Sequence, residues 1–146
     1  MSVCTFFGHR DCYDLDHTVL EAAIEDLIGR GVDRFYVGHQ GAFDGAVLSC
    51  LRRLRTKYSH IAFSVVLAYM PRQNTEYDLY ADCSIYPEGL ELAIPRFAIA
   101  KRNKWMLEQA EYCICYVNHT WGGAYRFASL ASRRGLTVLN LGNVSF

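Results

Sequence analysis

Three short glycine-bearing stretches hold residues able to bind an anion or move a proton: Gly8-His9-Arg10, Gly38-His39-Gln40-Gly41, and Asn118 to Ala124, which contains Trp121-Gly122-Gly123-Ala124. A glycine pair at the start of a helix leaves backbone N–H groups bare. Together with the positive end of the helix dipole, those groups suit a phosphate. His9 and Arg10 add a proton donor or acceptor and a fixed positive charge. A tight strand-to-helix turn would ask for Gly122-Gly123 just as well, so the case for a ligand rests on whether the three loops meet. None of them reads GxGxxG, and Gly38 stands where a dinucleotide site wants an acid, so an NAD-type cofactor is disfavoured.

The elements around these loops alternate. "VCTFFG" reads as a first strand, "RFYVG" as a second and "IAFSVVLAY" as a third, apolar throughout as buried parallel strands are. Residues 16 to 30 place Val19, Leu20, Ala23, Ile24, Leu27 and Ile28 on one helical face, with Thr18 and Glu21 as a capping box and Gly29 and Gly31 at the end. A second helix carries Phe43, Val47, Cys50, Leu51 and Leu54 inward and its arginines outward. Residues 70 to 94 show no clean period and read as a long excursion. "PRFAIAKRNKWMLEQA" predicts a helix with Pro95 in its first turn, "YCICYV" a fourth strand, "GAYRFASLASRR" a helix and "TVLNL" a fifth strand. The expectation is a single domain over residues 1–146: an α/β, Rossmann-like, five-stranded parallel sheet in order 3-2-1-4-5 with helices on both faces. Its switch point, between the first and fourth strands, then collects the glycine loops at one edge.

Composition narrows the partners. The 146 residues carry 15 basic and 15 acidic side chains, so nothing suggests nucleic acid or a membrane surface. No apolar run reaches the roughly 18 residues of a membrane helix, and "MSVCTFFGHRDC" turns polar too early for a secretory leader. Cys4, Cys12, Cys50, Cys83, Cys113 and Cys115 show no metal-ligand spacing; reduced, buried thiols and a cytoplasmic setting are expected, with no metal. On the helix before the fourth strand, Arg96 and Lys104 read as a solvated face, and Trp105 as core.

"TFFGHR" at residues 5–10, "RNKWML" at 102–107 and "WGGA" at 121–124, in this order across nearly the whole chain, resemble the SLOG superfamily, its YpsA-like branch in particular. That superfamily is Rossmann-like and includes the Lonely Guy phosphoribohydrolases and the DNA-processing protein A. The resemblance implies a site for a nucleotide or nucleotide-derived ligand; some SLOG domains sense signalling nucleotides related to cyclic ADP-ribose in anti-phage defence. Arg102 and Met106 match the family's R-x-x-x-M segment, and Gly122-Gly123 match its phosphate cradle. The catalytic glutamate that follows the cradle in the Lonely Guy enzymes has no counterpart: Ala124 replaces a threonine in one alignment, Ser129 replaces the glutamate in the other, and no acid lies between Gly122 and Arg134.

The expected ligand-binding set is therefore Gly8, His9, Arg10, Gly38, Gln40, Gly41, Asp44, Arg102, Asn103, Asn118, Trp121, Gly122, Gly123 and Ala124, with no catalytic residue assigned. The expected function is binding of a nucleotide-derived small molecule as a sensor, carrier or sequestering protein, in phage defence or counter-defence, by a chain that forms homo-oligomers. The alternative is an N-glycosidic hydrolase or transferase acting on a nucleoside monophosphate, using a carboxylate from elsewhere such as Asp44 or Glu88. A third reading is a protein-binding subunit with a vestigial site.

Overall fold

The computed structural model describes residues 2–69 and 84–146. Strands β1 (Ser2–Gly8), β2 (Val32–Val37), β3 (Ala62–Val66), β4 (Ser84–Ile85), β5 (Tyr112–Tyr116) and β6 (Thr137–Asn140) form one sheet in the order β4-β3-β2-β1-β5-β6, every neighbouring pair parallel. The α/β, Rossmann-like architecture is as the alternation of elements implies. The five-stranded order is corrected to six strands: Ser84-Ile85, inside the stretch read as an excursion, pairs with Val65-Val66 at the edge. A two-residue strand has no period to read, and only the sheet edge that it joins defines it. The rest of that excursion up to residue 83, Cys83 included, lies outside the described residues.

Side chains alternate across β1 as strand geometry requires. Cys4 and Phe6 face a core built with helices α1 (His17–Gly29) and α2 (Ala42–Lys57), through Leu20, Ile24, Phe43, Val47 and Leu51. Phe7 faces the opposite core, built with α3 (Ala98–Gln109) and α4 (Gly122–Arg133), through Met106, Leu107, Phe127 and Ala131. The sheet is thus covered on both faces, which fixes the C-terminal ends of β1 and β5 as the place where loops from both layers meet.

Two local readings change. Helix α1 is capped by Asp16, whose Oδ1 accepts from the amides of Thr18 and Val19 at 2.9 and 3.2 Å, rather than by a box built on Thr18 and Glu21. Aspartate ahead of the first turn takes the cap and adds favourable charge at the positive helix end. Pro95 opens a short 3-10 turn, Pro95–Phe97, and the α-helix proper begins at Ala98. Trp105 is partly buried against Tyr36, as expected of a core residue. The five described cysteines are free, and burial pushes the thiols of Cys4 and Cys50 up, the latter to about 11. No helix among the described residues is long and apolar enough to cross a membrane.

The cap gives a direct test. Asp16→Ala should destabilise the protein by about 1 kcal/mol in urea unfolding, whereas Thr18→Ala, whose hydroxyl is not the capping group, should stay within about 0.5 kcal/mol of the parent. The opposite ranking would restore the capping box.

Candidate functional site

A cavity of about 590 Å³ opens at the C-terminal ends of β1 and β5. Twelve of the fourteen expected residues line it: Gly8, His9, Arg10, Gln40, Asp44, Arg102, Asn103, Asn118, Trp121, Gly122, Gly123 and Ala124. Gly38 and Gly41 do not; their lack of a side chain serves packing beneath it.

The floor is the most buried part. Arg102 is 2% exposed and reaches out of α3 to donate to the Val66 carbonyl at 3.0 Å, at the end of β3, and to Asn103 Oδ1 at 2.8 Å. Across from it Asp44, 8% exposed in the first turn of α2, accepts from the Gln40 amide at 2.9 Å. A Cβ on Gly38 would lie 2.8 Å from the Arg102 guanidinium carbon and 2.9 Å from Asp44 Oδ2. Gly38 therefore makes room for these two side chains to sit against the end of β2. Gly41, at φ +96°, lets the loop after β2 press onto Arg10, where the Ala42 amide bonds the Arg10 carbonyl at 2.9 Å. Gly8 has a packing duty too, since a Cβ there would collide with the Phe43 ring.

Burial raises the Asp44 carboxyl from an ordinary 3.8 to about 6, although the Gln40 amide and the positive charges of Arg102 and His39 pull it down. Desolvation outweighs the partners. The group is poised to exchange a proton near neutrality, the property that acid–base catalysis requires. Glu88, the other carboxylate considered, is exposed and does not line the cavity.

One wall is aromatic. His9 and His119 stack at 3.7 Å between ring centroids, 13° apart, and His119 stacks on Trp121 at 3.8 Å, 18° apart. His9 Nε2 accepts from the Asn118 amide at 2.9 Å, which places its proton on Nδ1 in the neutral ring. Partial burial, and secondarily His119, pull His9 below its usual range. His119 Nδ1 is buried without a hydrogen-bond partner among the described residues, and Trp121 is 67% exposed. The column is steadied from outside: Asn118 Oδ1 accepts from the Asn143 amide, and the Asn140 amide group bonds both the Val117 and Val144 carbonyls. His119 escaped the sequence reading. Its signal is its place in the loop after β5, two residues before Trp121.

The remaining wall is the start of α4. Trp121 caps it without a side-chain hydrogen bond, Gly122 sits at φ +90°, and a Cβ on Gly123 would meet nothing within 4 Å. Unlike Gly8, Gly38 and Gly41, Gly123 is not bare because a neighbour needs the room. Among the described residues no group of three or more His, Cys, Asp or Glu side chains is placed to hold a metal. No protein-family model matches the chain, and no curated protein matches it.

The floor makes stability depend on pH. Because Asp44 holds its proton more tightly folded than unfolded, its contribution is present in full below pH 3.8 and is lost as pH rises through about 6. Over that window the loss is at most about 3 kcal/mol. Asp44→Asn should flatten that part of the urea-measured stability profile between pH 4 and 6. Arg102→Ala, which leaves Asp44 buried beside one positive charge fewer, should lose about 3–5 kcal/mol at pH 7 and recover part of it at pH 5. A parent profile no steeper than that of Asp44→Asn would show that the carboxyl is not held in this way.

Proposed function

We propose that the crevice binds a nucleotide-derived small molecule, its phosphate at the start of α4 and its base against the aromatic wall. The observation that carries this reading is the bare, uncapped Gly122-Gly123 turn opening into a cavity that is also lined by Arg10 and by stacked rings. Free N–H groups at a helix start favour an anion, and a ring face favours a base. The cavity volume falls within the roughly 300–1,000 Å³ of small-molecule sites. The resemblance to SLOG domains supports the same ligand class, including cyclic ADP-ribose-type signalling molecules, and a role as sensor, carrier or sequestering protein. Exposed Leu92, Ile94 and Phe97 are compatible with homo-oligomers. The open crevice speaks against a subunit whose site is vestigial.

A second reading has its own observation. Asp44, at the cavity floor with its carboxyl near 6, supplies the acid–base group that α4 lacks. An N-glycosidic hydrolase could use it to activate water at a ribose carbon, a contribution of about 10²–10⁴-fold.

Calorimetric titration with AMP, ADP-ribose and cyclic ADP-ribose separates these readings. At least one should bind the parent, and Gly123→Val should weaken it about 10- to 150-fold, as expected for loss of a charge-assisted contact, with an unchanged melting temperature. Binding of none of the three at millimolar concentration, or undiminished binding by Gly123→Val, would overturn the site. Release of free base from AMP at about 1 s⁻¹ or faster, abolished in Asp44→Asn, would transfer the assignment to the hydrolase.

A further inference from the structure

His119 is the middle ring of a three-ring column, 3.7 Å from His9 on one side and 3.8 Å from Trp121 on the other. Those are the separations at which a nucleobase lies between two aromatic faces. An imidazole is also the five-membered half of a purine. We propose that the space between His9 and Trp121 is the base-binding slot of this site, and that His119 fills it in the free protein and is displaced when a base enters. This rests on the nucleotide reading above and goes beyond it by placing the base between the rings, rather than on the outer face of Trp121.

Three observations make His119 a suitable occupant to expel. Its Nδ1 is buried with no hydrogen-bond partner among the described residues, so moving it out breaks no bond with them at that atom and returns a polar nitrogen to water. The backbone that carries it is held at its ends and not in the middle. Asn118 is pinned through its amide to His9 and through its side chain to Asn143, while residues 119–121 donate no backbone hydrogen bond to another element among the described residues. Gly122, at φ +90°, then gives the chain a turn that other residues rarely adopt, just before α4. Of the two outer rings, His9 is fixed independently of His119, by the Asn118 amide at Nε2, while Trp121 stands at the N-cap of α4, 67% exposed, and closes the column from the solvent side. The slot also adjoins the glycine turn, since His119 Cε1 lies 3.9 Å from a Cβ built on Gly122. A base in the slot would keep its phosphate within reach of the α4 amides.

The test uses adenosine, which carries a base and no phosphate, beside AMP. His119→Ala removes the competitor and leaves both outer rings. It should bind adenosine about 5- to 150-fold tighter than the parent, the range of one base–ring contact. Adding Trp121→Ala to it should erase the gain. His119→Ser serves as a second variant should the alanine protein fail to fold by circular dichroism. In the parent, the His119 ring protons should resonate upfield in the free protein, lying between two ring faces, and move to ordinary positions when AMP saturates the site. His119→Ala and His119→Ser binding adenosine no tighter than the parent, or not at all, would overturn the slot. Weaker binding by both would place the base on the outer face of the column. Should AMP bind the parent and depend on Gly123 while the His119 variants show no gain, the slot alone fails. A gain for adenosine, with AMP binding undiminished by Gly123→Val, would instead remove the phosphate site and keep the slot.

Discussion

The structure around the crevice depends on one buried cation. Arg102 leaves α3 and ends among the carbonyl of Val66, the side chain of Asn103 and the charge of Asp44, beside the bare backbone of Gly38. That one guanidinium ties the end of β3, the helix across the sheet face and the first turn of α2 into a single floor. A buried arginine is tolerable only where its donors are used and a negative charge stands near, and each of these elements supplies part of that requirement. The arrangement explains why Gly38 reads as a site residue in the sequence yet acts below the cavity surface, while Asp44 forms part of its floor.

The same floor decides where an anion would be held. Arg102 already faces a carboxylate that is largely ionised at neutral pH, so its field over the cavity is offset. Attraction for a phosphate then comes from the uncapped amides of α4 and from the exposed Arg10 on the opposite lip. A cation committed to a structural pair positions a site more than it recognises a ligand.

Much of the fold was legible because the strands are short apolar runs and the helices carry one apolar face each, patterns that survive without knowledge of neighbours. The relative order of the five longer strands followed from handed crossovers between sequential elements. Ser84-Ile85 was not legible, since two residues carry no period and their strand character comes from Val65 and Val66. The loops were found through glycine, and twelve of the residues chosen do surround one cavity. Glycine could not say why it was there. The Phe43 ring against Gly8 and the backbone of Arg10 against Gly41 are contacts between residues far apart in sequence. The aromatic column was missed for the same reason, because His9 and His119 meet only once β1 and β5 lie side by side.

A distinction among the glycines therefore carries more than their number. At Gly8, Gly38 and Gly41 the protein itself occupies the space where a side chain would go, so packing accounts for the residue. At Gly123 it does not: the position is exposed, nothing lies within 4 Å of a built Cβ, and no unusual backbone angle is needed. In a helix interior, glycine is less favourable than alanine by about 0.5–1 kcal/mol, and a first-turn position bears part of that disadvantage with no packing gain to offset it. Gly123 lines this cavity, and also a second cleft formed with Tyr125, Arg126 and Ser129, next to the first amides of α4. Gly29 and Gly45 are equally unhindered and lie away from this cavity, so it is the place of Gly123 at the cavity's edge, more than its bareness, on which the proposed anion site rests.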